Sequence, residues 1–264
     1  MLDSSRCANC DRAIDGTDQK FCPTCGQPTP AHRIDWHFLG HELEHSVLHM
    51  DRGVLYSLKE LMLRPGHLMR GYLGGRRAQQ VKPLLLLMIS AAAVLLLGKY
   101  LVGGDLVGSA MQAGYSQTKG ARESGSIDPA TAMKVFDQVK YWINAHLTAL
   151  TLILLPMEAA ALRLAFRNRG LNYPEWLVVS AFLAVQAFVF MAIAILLRPW
   201  LPSAQAWSSL IIFVYNVYSL VQLFPGFSRW RTALRATLGL AMFMLAQSML
   251  GAVIAAVLLL ATRL

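Results

Sequence analysis

The chain has few charged residues and no cysteine beyond residue 25. Asp, Glu, Lys and Arg make up 15% of its 264 residues, whereas soluble domains carry roughly 25%. Hydrophobic residues reach 55%, too much apolar surface for an ordinary soluble monomer. The N-terminus lacks the apolar segment of a cleavable signal peptide, so we expect the first transmembrane helix to drive insertion. The shortage of charge therefore favours an integral membrane protein.

Long apolar segments follow residue 82, and a bilayer core requires about 20 apolar residues per helix. We predict five transmembrane helices, at 83–98, 141–162, 176–197, 206–224 and 236–262. The segments are continuously apolar rather than alternating, which favours helices, because only helices and closed barrels satisfy their backbone groups in lipid. The transmembrane part is therefore predicted to be all-α.

The net charge of +9 is typical either of nucleic-acid-binding proteins or of membrane proteins with a basic inner face. Arginines concentrate before the first span, after the second and after the fourth. These segments share one side of the membrane in a five-span topology. The pattern predicts a cytoplasmic N-terminus, an external C-terminus and no nucleic-acid partner.

The four cysteines form two Cys-x-x-Cys pairs, Cys7 with Cys10 and Cys22 with Cys25. Two such pairs joined by a short hairpin place four thiolates around one tetrahedral metal. A disulfide is the alternative, and a reducing cytoplasm disfavours it. Four thiolates leave no open coordination position, so we predict a structural Zn²⁺ whose binding folds the module. We expect Phe21 to cover this site.

The chain is therefore predicted to contain a zinc ribbon at 1–27, a linker with amphipathic juxtamembrane helices at 28–82, and a five-helix transmembrane domain at 83–264. The fold class is an all-α polytopic membrane protein with an N-terminal zinc ribbon and interfacial helices.

Four histidines recur every fourth residue in the segment 34–50, which we predict to be one amphipathic helix. The sequence from His41 to His45 matches the HExxH motif of zinc metalloproteases. In that interpretation His41 and His45 bind zinc and Glu42 is the general base. The alternative is an interfacial helix with a polar face. We favour the alternative, because neither a third ligand nor a substrate cleft is evident in the sequence.

The segment 51–83 combines apolar helical faces with basic residues and is expected to break at Pro65-Gly66. Interfacial helices with basic flanks contact anionic lipids. We therefore predict lipid-headgroup contacts for Arg64, Arg70, Arg76, Arg77 and Lys82. A merely solvated basic stretch is the alternative.

Several motifs resemble those of a known family: FCPTCGQ at 21–27, RPG at 64–66, GYLGGRR at 71–77 and Asn172-Tyr173-x-Glu175. They resemble a bacterial zinc-ribbon inner-membrane family of unknown function (domain-of-unknown-function family 3667). The resemblance implies a bacterial inner-membrane location and no known activity. Trp176 stands where family members tend to have histidine. The chain is also similar, more weakly, to Yip1-type five-span proteins, which implies membrane organisation rather than a reaction.

Polar side chains inside the predicted spans include Glu158, Gln186 and Asn216. Intramembrane ionisable groups are candidates for function, although amides more often join helices by hydrogen bonds. We interpret the protein as a non-enzymatic scaffold or lipid-interacting protein whose ribbon recruits a cytoplasmic partner. The alternatives are a transporter or channel that uses Glu158 and the amides, and an HExxH metalloprotease. The sequence indicates no oligomeric state.

Overall fold

The computed structural model describes residues 5–14, 19–29, 31–45, 53–78, 80–108, 129–201 and 203–261. Over these residues the chain forms nine helices and two isolated β-bridges, which confirms the all-helical class for this part. The helices are α1 (Trp36–His45), α2 (Val54–Leu63), α3 (Pro65–Leu73), α4 (Pro83–Leu101), α5 (Pro129–Ala145), α6 (Leu147–Ala165), α7 (Tyr173–Leu197), α8 (Ala204–Leu223) and α9 (Arg229–Ala261). Residues 46–50 of the predicted 34–50 helix lie outside the described ranges.

Four described helices are long and apolar enough to cross a membrane: α4, α6, α7 and the Arg229–Ile254 part of α9. The other predicted span forms α8, whose apolar part, Trp207–Leu223, is shorter than these four. The second predicted span began at Tyr141, but a turn at His146 separates α5 from α6.

The central helix of the bundle is α7, which packs against α4, α6 and α8. Apolar side chains lie on all faces of α7, as expected for a helix that other helices enclose. Asn172 caps its N-terminus by accepting the backbone N–H of Glu175, while the Glu175 carboxylate accepts the N–H of Asn172. This capping box fixes where α7 begins.

Contacts at the two ends of the bundle show which interhelical connections lie next to each other. At one end, the Arg169 guanidinium lies 3.3 Å from the Phe227 ring centroid and joins the α6–α7 connection to the α8–α9 connection. At the other end, Gln205 donates to the carbonyl of Leu106, and the Leu106 N–H donates to Asn144. Helix α8 therefore extends from one end of the bundle to the other.

Helices α2 and α3 form a hairpin that packs against α7 and α8. The last carbonyls of α2 would lack partners at a helix end. The carbonyl of Leu61 accepts from Gln186 Nε2 at 3.3 Å, and that of Met62 accepts from the Tyr215 hydroxyl at 2.6 Å. Polar side chains of the bundle thus satisfy the backbone where the hairpin bends.

Gly66 allows α3 to approach the end of α8 closely. A Cβ at Gly66 would lie 2.3 Å from the carbonyl carbon of Gln222, a distance that real Cβ atoms essentially never show. We therefore expect Gly66→Ala to destabilise the protein by about 1–3 kcal/mol through overpacking, measured as thermal unfolding in detergent.

Gly71 on the same helix provides the control. A Cβ at Gly71 would meet its nearest neighbour, Gln80 Nε2, at 3.5 Å, an ordinary contact. Gly71→Ala is expected to unfold at or above the wild-type temperature, since alanine favours a helix over glycine. Equal unfolding temperatures for Gly66→Ala and wild type would contradict the close α3–α8 packing.

Candidate metal centre and its contacts with the helical domain

The four cysteines form one cluster, with their sulfur atoms all within 4.8 Å of one another. The Cys7 and Cys25 sulfurs are 3.5 Å apart, and those of Cys10 and Cys22 are 3.6 Å apart. Sulfurs at about 2.3 Å from a tetrahedral zinc are about 3.8 Å apart, whereas a disulfide bond is about 2.05 Å long. All four cysteines are free thiols. Their arrangement therefore fits a four-thiolate metal site, and the predicted grouping is confirmed.

The two Cys-x-x-Cys pairs are followed by turns of the same backbone conformation. The N–H of Asp11 donates to the carbonyl of Cys7 at 2.9 Å, and the N–H of Gly26 donates to that of Cys22 at 2.8 Å. Asp11 and Gly26 have positive φ angles of 60° and 71°. Glycine adopts this left-handed conformation freely, and aspartate is among the residues enriched in it. Asp11 and Gly26 therefore close equivalent turns after the two cysteine pairs.

Two neighbouring cysteines of the cluster differ in acidity. The backbone hydrogen bond from Arg12 lowers the pKa of Cys10, but desolvation and hydrogen bonds with the other three cysteines outweigh it and raise that pKa to about 12. At Cys22 the backbone instead favours the thiolate. The N–H of Thr24 donates to the Cys22 sulfur and lowers the pKa of the Cys22 thiol to about 6. Hydrogen bonds to the charged form stabilise it, and the thiolate is the form that coordinates metal ions.

Phe21 is largely exposed and adds little to a core within the cysteine module. Its backbone pairs with Pro28 in one of the two isolated bridges, and its side chain is 62% exposed. The four-cysteine module (residues 5–14 and 19–29) therefore presents an aromatic ring on its surface.

Gln27 attaches this module to the helical domain. Its side chain is 2% exposed, and its Oε1 accepts the backbone N–H groups of Arg77 and Ala78, each at 2.9 Å. The last residue of the FCPTCGQ motif thus binds the segment that ends the GYLGGRR motif. Sequence analysis missed Gln27, because a single glutamine gives no periodic signal.

Arg77 and Arg70, two of the predicted headgroup residues, make side-chain contacts within the protein. The Arg77 guanidinium donates to the carbonyl of His32 at 3.1 Å and lies 4.2 Å from the Phe38 ring centroid. The Arg70 guanidinium donates to the carbonyl of Gln222. Arg64 and Arg76 are exposed, and Lys82 precedes α4 as its N-cap residue. Headgroup binding stays a prediction for the set.

A second attachment joins the linker to the start of α7. Nε and an Nη nitrogen of Arg33 donate to the two carboxylate oxygens of Glu175, at 2.6 and 2.8 Å. These hydrogen bonds raise the pKa of Arg33. The adjacent Ile34 is fully buried, and its carbonyl accepts from Asn172 at 2.8 Å. The sequence analysis named the Asn172-Tyr173-x-Glu175 motif but missed Arg33, its partner.

The metal site predicted at the HExxH motif is not tested by the described part of the structure. His41, Glu42 and His45 lie on α1, but their side chains lie outside the described part of the structure. In the part of the chain that is described, the cysteine cluster is the one group of three or more potential metal ligands.

The intramembrane polar residues fall into two groups. Gln186 makes hydrogen bonds on both sides of its amide: it donates to the Leu61 carbonyl and accepts from the Ser219 hydroxyl at 3.1 Å. Glu158 in α6 is 7% exposed and has no hydrogen bond or ion pair with any residue that the structure describes. The buried Oδ1 of Asn216 also lacks a partner among these residues.

Comparison with known proteins gives one match. A family model described as "Protein of unknown function (DUF3667)" matches residues 51–94, which hold α2, α3 and the first part of α4. No curated protein and no solved structure matches the chain. The segment with the RPG and GYLGGRR motifs is thus similar to a family whose function is unknown.

Proposed function

We propose that the protein is a non-enzymatic integral membrane protein that presents a zinc ribbon on one face of its helical domain. That face recruits a cytoplasmic protein partner and contacts lipid headgroups. The observation that most strongly supports this proposal is that the N-terminal region is attached to the helical domain at two points. Gln27 binds the Arg77 backbone, and Arg33 binds Glu175. A module fixed in this way presents its surface at a defined position, as a docking platform requires.

The chemistry of the cluster supports a structural role. Zinc is the metal most often bound by four cysteines in small structural modules, and four thiolates leave no position for a substrate or a water. Bound metal would also supply the folding free energy that such a small module cannot gain from its own core.

We place the protein in the bacterial inner membrane, and the arrangement of the bundle ends supports a cytoplasmic N-terminus. Arg33 and Arg169 lie at the same end of the bundle, through their contacts with Glu175 and Phe227. The positive-inside rule assigns such an end to the cytoplasm, where thiols stay reduced. Because α8 extends between the two ends, we count it as the fifth span.

The exposed ring of Phe21 provides the test of partner recruitment. Buried aromatic anchors carry much of the binding energy of protein interfaces. We expect Phe21→Ser to reduce capture of specific partners by about tenfold, equivalent to about 1.4 kcal/mol. The measurement is quantitative proteomics of proteins that co-purify with the full-length chain.

The neighbouring exposed residue Lys20 supplies the control, since Lys20→Ser leaves the ring in place. We expect Lys20→Ser to keep the partners and Phe21→Ser to keep its metal. A set of co-purifying proteins that is unchanged in Phe21→Ser would contradict recruitment through this surface.

A second candidate function is favoured by Glu158. A buried ionisable group in a membrane helix is expected to serve an ion or proton pathway, and Glu158 has no partner among the described residues. If the protein conducts protons or cations, reconstituted vesicles should show a flux that Glu158→Gln abolishes. Asp137→Asn, at an exposed carboxylate outside the predicted spans, is the control. The scaffold proposal predicts no flux from wild type, so a flux that depends on Glu158 would overturn it in favour of transport.

A further inference from the structure

A polar cavity of about 270 Å³ lies where the four-cysteine module meets the α2–α3 hairpin. Asn9, inside the first cysteine pair, forms one wall. Glu60 and Arg64 line it from α2 and the bend, and Arg76 and Gln80 line it from the segment after α3. The volume lies just below the range of about 300–1,000 Å³ typical of drug-sized ligands. The cavity therefore suits a small polar group.

The charged groups around this cavity are not paired with each other. Arg64 and Arg76 make no side-chain hydrogen bond or ion pair with any described residue. Glu60 also lacks an ion pair within the described ranges, although it precedes Arg64 by one helical turn. The Oε1 atom of Gln80 is buried and has no hydrogen-bond partner among the residues that the structure describes. The cavity thus offers two cations and one anion to a ligand.

We propose that the cavity binds a phosphate group that carries a primary ammonium, the chemistry of phosphoethanolamine. The planar guanidinium groups of Arg64 and Arg76 bind the phosphate oxygens, which arginine recognises through paired N–H donors. The Glu60 carboxylate accepts hydrogen bonds from the ammonium. His67, also in the lining, adds a ring nitrogen that can donate to the phosphate.

Other ligand classes satisfy fewer of these groups. A phosphate alone leaves the Glu60 carboxylate beside the bound anion without a donor of its own. A quaternary ammonium has no N–H to donate. The cavity lies in the basic segment just before α4, so an ethanolamine phospholipid is one source of the ligand and soluble phosphoethanolamine is the other. This inference deepens the lipid-contact part of the proposed function and rests on it.

The test is lipid binding to the full-length protein, followed by native mass spectrometry. The protein is offered equal amounts of phosphatidylethanolamine, phosphatidylcholine and phosphatidylglycerol with identical acyl chains. We expect wild type to retain phosphatidylethanolamine about tenfold better than the other two. The double variant Arg64→Gln/Arg76→Gln should lose this retention, whereas Arg229→Gln/Arg231→Gln, on exposed residues away from the cavity, should keep it.

A conservative variant tests the ammonium contact without removing the arginines. Glu60→Gln should still bind phospholipid but lose its preference for ethanolamine over glycerol. Soluble phosphoethanolamine should compete with the lipid more strongly than inorganic phosphate does. If soluble phosphoethanolamine does not displace the bound lipid, the phospholipid itself is the source of the ligand. If phosphoethanolamine and inorganic phosphate displace the lipid equally well, recognition of the ammonium is contradicted.

Equal retention of the three lipids by wild type would overturn the proposal, and so would wild-type binding by the folded double variant. These results would leave partner capture and metal content unchanged. Failure of this inference is therefore distinguishable from failure of the proposed function, which would appear as unchanged partners in Phe21→Ser.

Discussion

Arg33→Met is expected to destabilise the protein by roughly 2 to 3 kcal/mol, because it leaves the Glu175 carboxylate buried without its cation. The Glu175 side chain is 4% exposed, whereas that of Arg33 is 58% exposed, so solvent screening keeps the loss below that of a fully buried pair. The measurement is thermal unfolding in detergent, followed by intrinsic tryptophan fluorescence.

Two further variants show whether the buried charge is the cause. Arg6→Met removes an ion pair whose side chains are 59% and 81% exposed, and such surface pairs contribute little. We expect it to unfold like wild type. Arg33→Met/Glu175→Gln removes both charges and should recover part of the lost stability. If Arg33→Met alone unfolds like wild type, the linker is not held at the start of α7.

Cys22→Ser is expected to reduce the metal content from about one ion per chain to none. The cluster draws one pair of thiols from each half of the module, so the loss of one ligand opens the whole site. The remaining cysteines should then react with an alkylating reagent at the rate of free thiols. Elemental analysis of the purified protein measures the metal, and alkylation kinetics measure the thiols.

Lys20→Ser serves as the control here, because it changes the charge of the same module but no ligand. It should keep the wild-type metal content and slow alkylation. A full metal content in Cys22→Ser would show that the thiols do not act as one site. Iron in place of zinc would keep the cluster and contradict the assignment of the metal.

Sequence reasoning identifies features whose determinants are close together in the chain. The Cys-x-x-Cys spacing brings each pair of sulfurs together within one turn, and apolar runs of about 20 residues predict spanning helices. The boundary between α5 and α6 was missed, because the apolar segment from Tyr141 to Met157 gives no sign of the turn at His146.

The attachments between the module and the helical domain were beyond sequence reasoning. Gln27 and Arg77 are 50 residues apart, and Arg33 and Glu175 are 142 residues apart. No periodicity or spacing rule links such positions. Each attachment depends on one polar side chain, whose partner is known only when the helices are packed.

The structure shows what the residues of the family-like motifs do. In RPG, Pro65 begins α3 and Gly66 allows contact with α8. In GYLGGRR, Gly75 adopts a φ of 90°, and Arg77 meets Gln27. In Asn172-Tyr173-x-Glu175, the capping box also binds the linker. The similarity to Yip1-type proteins stays a prediction.

Hydrogen–deuterium exchange at Arg77 and Ala78, before and after metal removal, tests most directly whether the cysteine module is a fixed part of the membrane protein. Gln27 holds both N–H groups while the module is folded. We predict that a chelator speeds the exchange of these two amides by about tenfold or more, while amides in the centre of α7 are unchanged. Loss of the metal with no change at Arg77 and Ala78 would contradict the coupling on which the proposed function depends.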